Sequence, residues 1–309
     1  MRLPAATPTN VRRLTLANLI ANVGIIITGG AVRLTGSGLG CAQWPTCNEG
    51  NLFPTPAMPI HTYVEFINRT FTFILVVIAL LTWLVVRRMV PARPDLSRLA
   101  LLVGLGIPAQ AVLGGITVLT GLNPYTVMGH LMISMVLVYW ATLAHHRARH
   151  LDRPVTPYRN AGMHWLARVL MAATYLTLAI GTFVTGSGPH GGDPEAGRTG
   201  FDPELISQLH ADAVFLLVGV TVAILAMAYA LDTSAGLRRA VVVLLAVEAT
   251  QAVIGYVQYF TDLPVILVGL HLLGAALVMW AATRVYEELR YVAPQLRSRA
   301  PDRELELAA

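Results

Sequence analysis

Residues Gln110–Ala141 read QAVLGGITVLTGLNPYTVMGHLMISMVLVYWA, and residues Gln251–Ala282 read QAVIGYVQYFTDLPVILVGLHLLGAALVMWAA. The two stretches align without a gap at an offset of 141 (251 − 110 = 141, and 271 − 130 = 141). Gln, Ala, Val, Gly, Thr, Leu and one histidine recur in step. Each copy is an apolar segment, a short polar break, and a second apolar segment that carries the histidine, His130 or His271.

Working outward, composition sets the solvent. Of 309 residues, 55% are hydrophobic and 13% charged, about half the roughly 25% typical of soluble domains. The mean hydropathy is +0.61. This is an integral membrane protein by composition. All 22 basic residues are arginine. The net charge of +5 is therefore read as a topology signal, with no nucleic-acid partner implied. The polar first ten residues do not resemble a cleaved signal peptide.

Eight runs reach the roughly 20 residues needed to cross a hydrocarbon core: about 14–34, 63–87, 98–120, 125–146, 164–186, 206–231, 238–260 and 264–287. Arg2, Arg12, Arg13, Arg87, Arg88, Arg93, Arg98, Arg147, Arg149, Arg153, Arg159, Arg238, Arg239, Arg290, Arg297, Arg299 and Arg303 all fall on one side. That side is cytoplasmic by the positive-inside rule, so both termini are expected there, in the plasma membrane. His145, His146 and His150 lie in this basic region and are expected to be solvated. Long outer loops (35–62 and 187–205) alternate with tight turns (121–124 and 261–263). Thr35–Gly38 and Thr185–Gly188 are both Thr-Gly-Ser-Gly. The expected fold is all-α, with eight transmembrane helices forming two parallel, pseudo-repeated four-helix bundles. The halves are residues 1–150 and 151–309.

The chemistry-bearing candidates cluster toward the outer face. His210 and His271 open helices 6 and 8 at similar depth, and two neutral imidazoles across a bundle suit the axial positions of a haem. The bland alternative is hydrogen bonding between helices. A repeated, depth-matched set favours function, because ionisable groups inside a membrane are costly. His130 has Asn68, not a second histidine, as its counterpart. Glu65 lies one turn before Asn68, where it can manage protons or pair with Arg69 or Arg33. Arg33 and Arg69 can match haem propionates or simply snorkel. Cys41 and Cys47 share the first outer loop, where a disulfide is expected, as a redox element or a clip. Asp212 and Glu248 are expected to hydrogen-bond between helices, and His190 to be exposed.

The series Thr35-Gly36-Ser37-Gly38 with Cys41 and Cys47, Glu65-Phe66-Ile67-Asn68-Arg69, Gly129-His130, His210 and His271 resembles the haem A synthase family, over roughly residues 14–287. The resemblance implies oxidation of the C8 methyl of haem O to a formyl group in two steps, for cytochrome oxidase. It implies haem b between His210 and His271, substrate haem on His130, Glu65 as the catalytic carboxylate, and a Cys41–Cys47 disulfide. The family usually has histidine where Asn68 stands, so one face of the substrate haem is expected to be open, with His61 as the alternative ligand. Pathway logic adds the farnesyltransferase that makes haem O as a partner. The electron acceptor and oxygen source are not written in the sequence. The competing readings are a quinol-linked cytochrome b-type electron carrier and a transporter.

Overall fold

The computed structural model describes residues 3–47, 50–55, 57–153, 155 and 157–290. Arg2, Arg297, Arg299 and Arg303 of the topology argument lie outside the described residues. Eight helices are present among the described residues: α1 Pro8–Leu34, α2 Ile60–Val86, α3 Pro94–Leu119, α4 Pro124–Arg149, α5 Ala161–Ser187, α6 Pro203–Ala230, α7 Ala235–Phe260 and α8 Val265–Glu288.

Several helices begin earlier than hydropathy places them, because their first turns are polar and capped. Thr7, Asn123, Asn160, Asp202 and Ser234 each accept a backbone N–H with the side chain. Proline stands at the start of α1, α3, α4 and α6, where its missing N–H costs nothing. A hydropathy window averages these polar turns away.

All eight helices are long and apolar enough to cross a membrane. Only 22% to 39% of each apolar window is buried inside the protein, so most of that surface faces outward. Water would penalise such exposure and lipid does not, so the chain is a multi-pass membrane protein.

Helices α1 to α4 close a ring in which α1 packs on α2 and α4, and α3 packs on α2 and α4. Helices α5 to α8 close a second ring, with α5 against α6 and α8, and α7 against α6 and α8. The rings meet where α8 lies on α1 and α4, and α4 on α5. At that seam a Cβ on Gly30 would overlap Leu272, so glycine sets how closely α1 and α8 approach.

At the arginine-rich end, charge does more than mark a side. Arg12 reaches Asp152 at 2.9 Å, Arg93 pairs with Asp95, and Arg147 bridges Glu287 at 2.6 Å and Asp95 at 3.8 Å. Glu287 is 1% exposed and also holds Arg290 at 3.2 Å. Removing one partner of a buried ion pair leaves the other charge uncompensated, at a cost of about 3 kcal/mol. Glu287→Ala is therefore expected to lower the thermal midpoint of the detergent-solubilised protein clearly. Arg13→Ala, whose guanidinium is in no ion pair among the described residues, should not. Equal midpoints for both variants would show that the network adds nothing.

Candidate functional site

The outer thirds of α6 and α8 bring His210 and His271 together. Their ring centres lie 6.4 Å apart, with the planes inclined by 75°. Two imidazoles sharing one metal through nitrogen bonds of about 2 Å have ring centres about 6 Å apart. Each ring sits over a glycine of the preceding helix. A Cβ on Gly181 of α5 would stand 2.9 Å from His210 Cε1, and one on Gly255 of α7 would stand 3.4 Å from His271 Cε1. Nδ1 of both rings is buried without a hydrogen-bond partner among the described residues. The backbone of Thr177 on α5 lies within hydrogen-bonding reach of His210. An edge-to-face ring pair would also satisfy the separation, but would not use the ring nitrogens.

His130 repeats the pattern in the first ring of helices. Its Cε1 lies 3.3 Å from where a Cβ on Gly114 of α3 would stand, and its Nδ1 is again buried and unpartnered. Its backbone carbonyl and the Ser134 hydroxyl both accept from Gln110 Nε2, at 2.8 and 2.5 Å, which ties α3 to α4 at this level. Asn68 accepts a 2.7 Å bond from Thr28 of α1 through Oδ1. Thr28 was not singled out by sequence; a partner for an amide inside an apolar helix was the available signal. His61 is exposed, with Nδ1 2.9 Å from the buried Ser37 hydroxyl, and lies two turns outward of Asn68.

The first outer loop is locked onto α2. Cys41 and Cys47 form a disulfide. Glu65 is 4% exposed and both its oxygens are engaged. Oε2 accepts the Cys41 N–H at 2.6 Å, while Oε1 accepts Arg69 Nε at 3.0 Å and Nη2 at 2.5 Å. Arg69 also donates to the carbonyls of Gln43, Thr46 and Cys41 at 3.0, 3.1 and 2.7 Å. These bonds use all five guanidinium N–H groups, leaving none for a propionate. Trp44 rests on α3 against Gly115, where any Cβ would overlap its indole, one residue from the glycine under His130.

Arg33 ends α1 and crosses to α5, donating to the Thr185 carbonyl at 2.6 Å, while its Nε is buried without a partner. It lines a cavity between the two rings with Arg198, Met128, Leu131, Thr182 and Gly186.

Other expectations change. His146 is 5% exposed and sits 3.1 Å from Glu288, His145 Nδ1 meets the Thr15 hydroxyl at 3.2 Å, and His150 Nδ1 meets the His146 carbonyl at 2.8 Å. They are not a solvated group, because α8 and α1 pack onto this end of α4. His190 is half-buried and its Nε2 bonds to the Leu263 carbonyl at 2.9 Å, joining two outer loops. Asp212 is exposed and makes no hydrogen bond among the described residues, because it lies on the outward face of α6. Glu248 does bond between helices, accepting from Thr221 of α6 at 2.9 Å.

The fold and this geometry define a class: a multi-pass helical membrane protein with paired histidines on its membrane-spanning helices. The family model described as cytochrome oxidase assembly protein (COX15-CtaA) matches residues 12–189, and the chain belongs to that family. Proteins named heme A synthase are similar to it. The one from Bacillus pumilus is 27% identical over 182 residues, covering 56% of this chain and 58% of that protein. The one from Listeria monocytogenes serovar 1/2a is 31% identical over 170 residues, covering 52% and 54%. The chain spans about half the length of the curated relatives it matches. The family match covers Glu65, Asn68, the cysteines and His130, and ends before His210 and His271.

If Arg69 is the clamp on the outer loop, Arg69→Ala should free it. The expected outcome is several-fold faster reduction of Cys41–Cys47 by a water-soluble phosphine, followed by thiol labelling. An unchanged rate would show that the loop is held otherwise.

Proposed function

We propose that this protein is a haem A synthase, oxidising the C8 methyl of haem O to a formyl group in two successive steps for cytochrome oxidase. One observation carries the haem-handling part. Three half-buried imidazoles, each against a glycine, have a buried Nδ1 with no hydrogen-bond partner among the described residues. Leaving such groups unpaired in an apolar interior is costly unless something else binds them. The residues therefore fit haem, and His210 and His271 would be the side chains that hold haem b. A bound haem b supplies one-electron redox capacity beside the substrate.

The remaining roles belong to the chain. His130 would hold substrate haem O from one face. Asn68, committed to Thr28, offers no imidazole to the other, so that face stays open for reaction. Glu65 is the proton-handling carboxylate, and Oε2 is the oxygen that gains a proton when the Cys41 loop shifts. Arg69 keeps Glu65 oriented and is a positioning residue. Arg33, with an unpaired Nε at the cavity between the rings, is the arginine available to a propionate. We place the substrate half in residues 1–150 and the haem b half in 151–309, with both termini cytoplasmic in the plasma membrane. The farnesyltransferase that makes haem O is the partner this reading implies. A quinol-linked carrier would need a second bis-histidine haem, which Asn68 does not provide.

Reduced-minus-oxidised spectra and pigment extraction test the reading. His210→Ala or His271→Ala should remove haem b, and unchanged haem content in either would overturn the ligand assignment. Gly181→Val should also lower haem content with helicity retained, by pushing a side chain into the His210 ring. Glu65→Gln should keep haem b and lose haem A formation by roughly a hundredfold or more, at the lower end of what a general acid–base group contributes. Full haem A yield from that variant would remove Glu65 from the chemistry.

A further inference from the structure

We infer that His146, His150 and Glu288 form a binding site for a zinc-class transition-metal ion at the arginine-rich end, where α4 of the first ring meets α8 of the second. His146 stands in the last turn of α4, His150 caps that helix, and Glu288 is the last residue of α8. One ligand atom from each of the three lies within 4.8 Å of the others. His146 Nε2 and Glu288 Oε1 are already 3.1 Å apart. A four-residue spacing puts both imidazoles on one helix face, the arrangement by which paired histidines grip zinc.

The orientation of His150 supports coordination. Its Nδ1 lies 2.8 Å from the His146 carbonyl, an acceptor only, so Nδ1 carries the hydrogen and Nε2 keeps its lone pair. Histidine ligands are commonly fixed this way, by donating the second ring N–H to a carbonyl. His146 is 5% and Glu288 8% exposed, while His150 is half-buried. The cluster is thus largely enclosed where the two helices meet. Two histidines and a carboxylate are a known zinc donor set.

The surroundings select the kind of ion. Arg284 acts on Glu288 and Arg153 on His150, and Arg149 lies in the same turn of α4. Glu287 is committed to Arg147 and Arg290. Calcium or magnesium, which need six or more oxygens, find one carboxylate here among positive charges. An ion with affinity for imidazole binds through nitrogen and tolerates that field. Such an ion takes the place of the hydrogen between His146 and Glu288 and fastens the two rings of helices together. The inference does not depend on the haem assignments.

The test uses tag-free, haem-loaded full-length protein in detergent, stripped with a chelator and titrated with zinc chloride against a chromophoric competitor. One zinc ion per chain is expected at this site, with a higher thermal midpoint when it is bound. Cobalt in its place should show visible d–d absorption. His150→Ala leaves the His146–Glu288 contact intact, and Glu288→Gln keeps side-chain size. Each should weaken zinc by more than the roughly tenfold that losing an outer-shell partner costs. Absence of zinc binding by the native protein would overturn the site, as would native affinity in both variants. Either result would leave an ion pair only.

Discussion

A polar group buried in an apolar medium must find a partner or cost several kcal/mol, and that constraint organises this molecule. It accounts for most of the intramembrane polar side chains. Thr15, Thr82, Thr142, Thr174, Thr221 and Thr283 each return a hydroxyl to a carbonyl four residues back. Asn68 has Thr28, Gln110 has Ser134 and the His130 carbonyl, and Glu248 has Thr221. Against that background, His130, His210 and His271 each keep a buried Nδ1 with no such partner.

Glycine complements the imidazoles. Gly114, Gly181 and Gly255 remove the side chain from the neighbouring helix at the level of each ring. The backbone can then come close to the Cε1 edge of each ring without a larger residue pushing it aside. The outer loop is fixed by a different device, a single guanidinium whose five donors join α2 to three loop carbonyls and to Glu65. The proposed proton-handling carboxylate is therefore coupled mechanically to the disulfide loop.

Much of the fold was legible in the sequence. Eight apolar runs gave eight helices, and the end of α4 was misjudged only in its last turn, which is polar yet still helical. That His210 and His271 lie in the first turns of α6 and α8 was also legible, but not that their rings face each other. The role of Arg69 was not legible. Its spacing allowed a pair with Glu65, but three of its partners are loop carbonyls, which no side-chain pattern reports. The basic segment misled for a related reason. His146 reads as a surface residue beside arginines, and its partner Glu288 is 142 positions away.

The sequence by itself determined the solvent, the number of helices and the position of each histidine along its helix, since these depend on local composition and on rise per residue. Only the tertiary structure decided which polar groups meet. In α7 apolar residues run nearly all the way around, so no stripe marks its inward face. Rotation about each helix axis is set by packing against neighbours distant in the chain. That rotation turns His210 toward His271, Asn68 toward Thr28, and His146 toward Glu288.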